Sequence, residues 1–252
     1  MKYIKLFETA SAFESARATL DLPNVSLIEA TNGLNYLPYV APAPDPYNGH
    51  EYVEIGGLKW ATMNIGANSI TDYGLYFQWG DTQGYTASQV GSGSGQKYFG
   101  WADYKYGNGT SSPGATGMTK YNSTDGKTVL EAVDDAAQAN WGGAWRMPTV
   151  DDINTFYMHV NTTRTTNYQD TGVEGLVCTD KTDSSKVIFL PAAGYFEKGI
   201  TQEIGTYGYY LKNNLCSFDK TKVGQFYFYY GGTYWDNNFD RLRGVPIRPV
   251  AN

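Results

Sequence analysis

The sequence predicts an α+β fold in which two helices are embedded among many short strands. After residue 46, two segments, at 128–140 and 149–157, combine a capping signature with an apolar stripe at helical spacing. Short runs rich in Tyr, Phe, Val and Ile follow them, separated by Gly, Asn and Asp. Strands and helices do not alternate regularly, so neither a sandwich nor a doubly wound parallel sheet is favoured.

The N-terminal segment has the pattern of a small β-α-β unit. Residues 2–8 alternate enough for a short strand, and residues 24–29 for a second one. Between them, Ser11-Ala-Phe-Glu14 is a capping-box signature that predicts a helix to about Leu20.

A proline-rich run ends this unit. Ala41-Pro-Ala-Pro-Asp-Pro46 favours extended, unpaired backbone because each proline fixes φ and lacks an N–H donor. We therefore expect two domains, at residues 1–45 and 46–252. The first is expected to attach the protein to a homotrimer or a virion assembly without contacting ligand.

The first part of the larger domain combines a hairpin with a long irregular stretch. Residues 52–55 and 58–63 predict two strands around Gly56-Gly57. Residues 72–121 are rich in Gly, Tyr and Ser, and an irregular stretch of this length is typical of functional or disordered segments.

Helices and then strands are predicted for the remainder. Thr128 opens the first helix, whose apolar stripe is Val129, Val133, Ala136 and Ala137. Thr149 opens the second, which carries Ile153, Phe156 and Tyr157. The strands that follow are predicted at 173–179, 186–192, 207–211, 224–230 and 245–250.

Composition and charge exclude several classes of function. The formal net charge is −6 and the sequence has no Lys/Arg cluster, so nucleic acid is not an expected partner. The N-terminus lacks the apolar run of a signal peptide, and no segment is long and apolar enough for membrane insertion. Cys178 and Cys216 lack metal-ligand spacing, which leaves open a disulfide or two buried free thiols.

No catalytic signature stands out. His50 and His159 are the only histidines, and neither lies in a nucleophile or metal-binding motif. Asp134-Asp135 and Asp151-Asp152 are interpreted as structural carboxylates at helices rather than as a glycosidase pair. We therefore expect no catalytic residues, no metal site and no cofactor.

Seven segments, in this order and spacing, carry a resemblance to one family. They are Leu58-Lys-Trp-Ala-Thr-Met-Asn-Ile-Gly-Ala67, Asp72-Tyr-Gly-Leu-Tyr-Phe-Gln-Trp-Gly80, Asp134-Asp-Ala-Ala137, Asn140-Trp-Gly-Gly-Ala-Trp-Arg-Met-Pro-Thr149, Ile188-Phe-Leu-Pro-Ala-Ala-Gly194, Gly208-Tyr-Tyr210 and Val245-Pro-Ile-Arg-Pro-Val250. Together they resemble the Fib_succ_major paralogous domain of gut-bacterial surface and phage proteins.

The resemblance implies a C-type-lectin-like fold over residues 51–250. That family is similar to the formylglycine-generating-enzyme branch of the fold, which includes the variable proteins of diversity-generating retroelements. The enzyme's cysteine pair has no counterpart in Cys178 and Cys216, so no oxidase activity is expected. The calcium-binding motifs of sugar lectins are missing as well. Trp235-Asp-Asn237 contains the residues of one of these motifs, but in a different order. Arg146 and Arg248 are expected to be buried and to donate to backbone carbonyls.

The C-terminal stretch has the composition of a recognition surface. Tyr and Trp with adaptable Asn neighbours are typical of antibody paratopes, because rigid rings lose little entropy on binding. On the strand around residues 224–230, Phe226, Phe228 and Tyr230 share one face, and Tyr227 and Tyr229 the other; residues 233–243 are predicted to be a loop. The resemblance places variable, ligand-binding positions in this stretch: Tyr210, Lys212, Asn213, Asn214, Phe228, Tyr230, Thr233, Tyr234, Trp235, Asp236, Asn237, Asn238 and Arg241.

The function expected from these patterns is recognition of a cell-surface protein or glycan. We expect a phage or prophage tail-tip receptor-binding protein that is diversified by a retroelement. The alternatives are a bacterial cell-surface adhesin with the same fold, and an enzyme built on the formylglycine-generating scaffold.

Overall fold

A computed structural model describes residues 2–7, 28–29, 35–40, 45–110 and 117–252, with side chains from residue 45 onward except at 235–237. The chain divides into two compact units, Met1–Asp45 and Pro46–Asn252. Within the described residues it is an α+β protein with two α-helices and mostly antiparallel sheets.

The N-terminal unit contains a three-stranded antiparallel sheet. Its strands are β1 (Lys2–Phe7), β2 (Ile28–Glu29) and β3 (Asn35–Val40), in the order β1-β3-β2. The central strand β3 was not predicted, and it makes the pattern antiparallel rather than that of a parallel β-α-β unit. Pro38 lies in β3 opposite Ile4 of β1, two residues beyond Asn35 and Tyr36, which pair with β2. The predicted helix from Ser11 to Leu20 lies outside the described residues.

The larger unit begins and ends in one sheet. β4 (Tyr52–Ile55) and β5 (Leu58–Ala61) form the predicted hairpin, and β14 (Val250–Ala251) pairs with β5. The strand predicted at 245–250 is therefore wrong for most of its length. Val245 makes a single bridge to Phe77, and Arg248 lies buried instead of continuing a ladder.

Arg248 confirms the expectation of a buried structural arginine. Its guanidinium donates to the carbonyls of Ala61 (3.0 Å) and Phe189 (2.9 Å) and to the side chain of Asn64 (2.9 Å). Arg146 differs from the prediction, since it is only half-buried and its main partner is the carboxylate of Asp152.

The described part of the irregular stretch, 72–110 and 117–121, packs into the core. Phe77, Trp79, Phe99 and Tyr121 are completely buried. Polar atoms of this stretch bond to backbone far away in sequence, as when the Trp79 indole donates to the Lys212 carbonyl at 2.9 Å. Such side-chain bonds replace a long backbone ladder, so the segment is ordered although its described helices are short 3-10 turns such as Ala87–Gln89 and Trp101–Asp103.

The first helix is much shorter than predicted. Helix α1 spans Ala136–Trp141 and is capped by Asp135, whose carboxylate accepts from the amides of Ala137 and Gln138. Residues 128–130 are instead extended, because the Leu130 amide donates to the Asn213 carbonyl at 2.9 Å. The predicted apolar stripe is consequently wrong for Val129 and Val133, which are exposed.

The second helix is confirmed. Helix α2 spans Val150–His159, and Thr149 and Asp152 form its capping box. Ile153 and Phe156 are buried. Asp134, Asp135 and Asp152 have structural partners, which agrees with the structural interpretation of these three carboxylates.

Gly142 and Gly143 form a turn between α1 and α2. Both glycines have positive φ, at 65° and 57°, and a Cβ on Gly143 would lie 2.2 Å from the Pro46 carbonyl oxygen. Trp145 is fully buried behind this turn and donates to the Tyr47 carbonyl, whereas Trp141 is half-buried.

Three antiparallel sheets complete the unit. β6 (Val160–Thr165), β7 (Gly175–Asp180) and β8 (Val187–Pro191) form the first, and β9 (Tyr195–Glu197) and β10 (Ile200–Gln202) the second. Strands β7 and β8 were predicted; β6, β9 and β10 were not.

The C-terminal sheet consists of β11 (Gly208–Leu215), β12 (Lys222–Tyr229) and β13 (Gly232–Asp240) in that order. Strand β13 overturns the predicted loop at 233–243. A two-residue turn at Tyr230-Gly231 lets the aromatic and amide residues of β13 pair along β12, in a register that places Trp235 opposite Phe226.

Candidate recognition surface

The two faces of the C-terminal sheet have different surroundings. On the inner face, Tyr210, Phe226 and Phe228 are buried in a core with Trp60 and Phe156. Gly208 makes this packing possible, because a Cβ there would lie 2.2 Å from the Phe228 ring. The inner face is therefore structural.

The outer face carries a ladder of stacked rings, which we call the tyrosine ladder: Tyr207, Tyr209, Tyr227, Tyr229 and Tyr234. Ring centroids are 4.9 Å apart between Tyr207 and Tyr229, and 5.3 Å apart between Tyr229 and Tyr234. Cross-strand pairing fixes the ladder, since Tyr209 lies opposite Tyr227 and Tyr227 opposite Tyr234. Stacked rings lose little further entropy when a ligand packs on them.

Two phenol groups of the ladder, those of Tyr209 and Tyr229, have raised pKa values. Burial, together with a hydrogen bond to Glu203, raises the pKa of Tyr209. The hydrogen bond to Tyr234 raises the pKa of Tyr229. The hydroxyl groups of Tyr209 and Tyr229 are therefore neutral at physiological pH.

The ladder reaches solvent at the turn between β12 and β13. Tyr230 is 88% exposed at the tip of the turn, and Tyr234 is 38% exposed beside it. The Tyr234 hydroxyl donates to the Gly231 carbonyl at 3.0 Å and so holds the turn against β13. Two large rings thus face solvent on a short, well-anchored turn.

A groove of about 380 Å³ runs along this turn, and we call it the hairpin groove. One wall is residues 229–234; the other is formed by Tyr157 of α2, by Thr162 and Arg164 of β6, and by Leu176 of β7. Thr233 bridges the walls by donating to the Tyr157 hydroxyl at 3.2 Å. The groove combines aromatic rings with hydroxyl groups and one arginine, a mixture that suits a small polar ligand group.

Arg164 is the charged residue of this lining. Its Nη2 donates to the Glu174 carboxylate and to the Thr206 carbonyl (2.7 Å), and the guanidinium lies 5.2 Å from the Phe228 ring centroid. Among the described residues, no acceptor lies within hydrogen-bond distance of its Nε or Nη1, although both atoms are buried.

Four residues that the sequence analysis placed in the ligand-binding site are buried, and the prediction is wrong for them: Tyr210, Lys212, Phe228 and Arg241. The Tyr210 hydroxyl donates to the Pro191 carbonyl inside the core. Lys212 lies on β11 where the Trp79 indole closes over its carbonyl. These side chains cannot contact a ligand on the folded protein, because the core covers them.

Arg241 is the clearest of these corrections. It is 0% exposed and donates from Nε to the Tyr104 hydroxyl and from Nη1 to the Tyr121 (3.0 Å) and Lys220 (2.9 Å) carbonyls. Its Nη2 donates to the Lys120 carbonyl. Arg241 therefore ties the irregular stretch to the end of β13.

The other predicted residues divide by position. Asn213 and Asn214 are half-buried at the far end of β11, where their backbone pairs with residues 128–130. Tyr230, Thr233 and Tyr234 surround the hairpin groove. Asn238 is exposed on β13, and Trp235, Asp236 and Asn237 lie on the same strand.

Sequence reasoning missed the groove wall contributed by α2 and β6. Strand β6, Val160-Asn-Thr-Thr-Arg-Thr165, was not predicted because it is polar and lacks an apolar alternation. Its three Thr residues and one Val have high β-propensity, a signal that could have located it. No local pattern could have indicated that Arg164 lies beside the β12–β13 turn.

Other chemical features of the described residues are structural or absent. Cys178 and Cys216 are both buried free thiols, and burial raises the pKa of Cys178 to about 12. The described residues contain no cluster of three or more His, Cys, Asp or Glu side chains arranged to hold a metal ion. None of the helices in the described part of the chain could cross a bilayer.

Comparisons with protein-family models, with curated proteins and with solved structures found no match.

Proposed function

We propose that this protein is a recognition module with a C-type-lectin-like fold, which binds a cell-surface ligand through the turn between β12 and β13. The observation that carries this proposal is the solvent-exposed pair Tyr230 and Tyr234 beside a polar groove. Exposed, rigid aromatic rings with hydroxyl neighbours are the side chains that dominate binding energy in paratopes. The resemblance of seven sequence segments to the Fib_succ_major domain supports the fold assignment.

Binding to cells tests the proposal. The labelled full chain is incubated with a panel of gut-bacterial cells and bound fluorescence is measured by flow cytometry. The double variant Y230A/Y234A is expected to weaken binding at least about 30-fold, as two anchoring rings of about 1 kcal/mol or more each would require. Phe218→Ala is the matched control, because Phe218 is an aromatic side chain 83% exposed outside this surface.

Two results would contradict the proposal. The first is the same affinity for the double variant and the wild type. The second is an equal loss in the Phe218 control, which would indicate nonspecific adhesion of exposed rings.

We further propose that the protein belongs to a phage or prophage tail tip and is diversified by a retroelement. The locus should then contain a reverse-transcriptase gene and a near-copy of the DNA that encodes residues 205–250. Burial sharpens the expected pattern: adenine-directed differences should fall in codons such as those of Tyr230, Tyr234 and Asn238, and spare those of Phe228 and Arg241. A complete locus without such a repeat would contradict diversification and would favour an undiversified adhesin.

A further inference from the structure

A second pocket lies at the opposite end of β13 from the hairpin groove. It has a volume of about 360 Å³, and we call it the Trp101 pocket; its main lining residues are Tyr98, Trp101, Glu197, Lys198, Asp240 and Leu242. Asp240 ends β13, whereas Tyr234 of the same strand lines the hairpin groove, so a rise of about 3.3 Å per residue places the two sites about 20 Å apart. We infer that the Trp101 pocket binds a neutral sugar unit without calcium, as a site separate from the turn between β12 and β13.

The aromatic residues of the pocket are held in place by the loop that carries them. The Asp103 carboxylate accepts hydrogen bonds from the amides of Tyr98 (3.0 Å) and Gly100 (2.6 Å) and so fixes the entry to the 3-10 turn Trp101–Asp103. The Tyr98 ring packs over Gly100, since a Cβ there would lie 2.7 Å from it. Tyr98 is nevertheless 40% exposed and Trp101 is half-buried, so part of each ring is open to an occupant.

Two carboxylates supply the polar lining, and both are paired with cations. Arg243 donates from Nε to Glu197 at 3.0 Å, and its Nη2 lies 3.3 Å from Asp240. Lys222 donates to Asp240 at 2.6 Å. The side chains of Glu197 and Asp240 are still 21% and 22% exposed. They are therefore oriented, largely neutralised acceptors that solvent can reach.

The pocket also has one acceptor and one donor that are not used by the protein. Oε1 of Glu197 has no hydrogen-bond donor among the described residues, and the Nζ of Lys198 is 3.9 Å away from it. The Trp101 indole N–H likewise has no acceptor in the described part of the chain. Neither atom is one of the buried polar atoms without a partner, so both are open to solvent. An occupant can bond to them without breaking an existing hydrogen bond.

This combination favours a sugar. A sugar hydroxyl group both donates and accepts, so hydroxyls of one ring can donate to Glu197 and accept from Trp101. The apolar face of the same ring can pack on an aromatic side chain. A volume of about 360 Å³ is at the small end of ligand pockets, which suits one or two sugar rings.

The charges of the pocket favour a neutral sugar and make a metal ion unnecessary. An anionic ligand would meet two carboxylates, and a cationic ligand would find both already paired with Arg243 or Lys222. For the same reason, calcium would have to displace these cations before it could bind.

Indole N–H signals test the inference on the ¹⁵N-labelled full chain. The six Trp residues give six such signals, and the one that disappears in Trp101→Phe is that of Trp101. Methyl glycosides of glucose, galactose, mannose and N-acetylglucosamine are each titrated to about 50 mM in EDTA, because a single sugar unit is expected to bind with a millimolar Kd. At least one should move the Trp101 signal saturably and leave that of Trp141, which is also half-buried but lies outside the pocket.

Three results of this titration would overturn the inference. The first is that no glycoside moves the Trp101 signal. The second is an equal shift of the Trp141 signal, which would indicate nonspecific contact with indoles. The third is a shift that appears only when calcium replaces EDTA.

Variants then test the pocket residues, with the Kd measured from saturation transfer between the protein and the sugar. Tyr98→Ala should weaken binding about tenfold, because a ring contact is lost. Tyr52→Ala is the matched control: Tyr52 is 41% exposed and lies outside the pocket, so the Kd should not change. Equal weakening in both variants would overturn the inference.

More conservative substitutions test the two free polar atoms. Trp101→Phe keeps an aromatic ring but removes the N–H, and it should weaken binding about fivefold. Glu197→Gln keeps the shape of the side chain but removes the charged acceptor, and it should weaken binding about tenfold. If Tyr98→Ala does not fold, these two variants decide, and an unchanged Kd in both would contradict the site. The pocket lies away from the β12–β13 turn, so its failure would leave the proposed recognition surface intact.

Discussion

Arg241 and Arg164 lie in two different regions of the molecule and differ in how many of their guanidinium nitrogens have a hydrogen-bond acceptor. Arg241 lies in the core under the irregular stretch, where Nε, Nη1 and Nη2 all have acceptors and the Trp79 and Tyr104 rings lie about 5 Å away. Arg164 lies at the wall of the hairpin groove, where only Nη2 has acceptors.

The difference shows how to separate structural from recognition residues in this chain. A guanidinium whose three nitrogens all donate, as those of Arg241 do to backbone carbonyls and the Tyr104 hydroxyl, joins segments far apart in sequence and has nothing left for a ligand. A guanidinium with buried donors that have no acceptor, like that of Arg164, contributes less to stability. Four experiments, from the largest expected effect to the smallest, probe this contrast.

The largest effect is expected for the core arginine. Arg241→Met leaves the Tyr121, Lys220 and Lys120 carbonyls without their donor in a buried site. The free energy of unfolding, measured by urea denaturation, should fall by about 3–5 kcal/mol. Arg164→Met should lose only about 1 kcal/mol, because its ion pair is partly exposed and several donors are already unused. Similar losses in both variants would break the comparison.

Neighbouring aromatic residues give the next contrast. Phe228 is 0% exposed beneath Arg164, and Phe228→Ala should lower the free energy of unfolding by about 3–5 kcal/mol. Tyr230, two residues later, is 88% exposed, and Tyr230→Ala should change it by less than about 0.5 kcal/mol. Paired thermal and urea unfolding checks both values; a large loss for Tyr230→Ala would place that ring in the core.

The sequence predicted the parts of the fold that depend on local signals. Capping at Thr149 and Asp152 set the start of α2, and Gly56-Gly57 set the first hairpin. Local signals failed where long-range pairing decides. Residues 128–130 carry a capping pattern, yet they pair with β11, and the Asp135 carboxylate satisfies the first amides of α1 further along. Strand β13 was missed because its amides and Gly resemble a loop until β12 is present as a template.

The sequence predicted which residue types form the candidate site, but not which individual residues belong to it. Tyr230 and Tyr234 are exposed, as the paratope-like pattern suggested, while Phe228 and Arg241 from the same stretch are buried. Alternation along a strand separates its two faces, but only the packing of β11–β13 on the rest of the unit decides which face meets solvent. Arg164 joins the site through tertiary structure alone.

Low pH should destabilise the buried hydrogen-bond network that connects Asp134 to the region of Arg241. Tyr121, whose carbonyl accepts from Arg241, donates through its hydroxyl to Asp134 at 2.7 Å. Burial by itself would raise the pKa of Asp134, but hydrogen bonds from Lys120, Tyr106 and Tyr121 outweigh it and hold the pKa well below its usual range.

A carboxyl group whose pKa is lower in the folded state stabilises the fold above its unfolded pKa, near 4, and loses this contribution as the pH falls toward the folded pKa. The free energy of unfolding, measured from pH 7 to pH 2, should therefore decline in the wild type below about pH 5. Asp134→Asn should be less stable by about 2 kcal/mol at pH 7 and should approach the wild type in acid. A constant difference between the two proteins at every pH would show that charge plays no part.

The smallest expected effect concerns Val133, which lies beside the buried Asp134 but is itself 74% exposed. A helix over 128–140 would bury Val133 in its apolar stripe, and a polar substitution there would lower the free energy of unfolding by more than 1 kcal/mol. In the structure the segment 132–134 is a short 3-10 turn before α1, so Val133→Ser should change that free energy by less than about 0.5 kcal/mol. Ala137→Ser is the matched control: Ala137 belongs to the same predicted stripe but is fully buried, and a hydroxyl group there should be destabilising by about 1–3 kcal/mol. Both substitutions introduce a serine, at positions four residues apart. Equal losses of stability would indicate that Val133 is buried as well, as the longer predicted helix requires. A loss confined to Ala137→Ser would show that the buried region begins between these two positions.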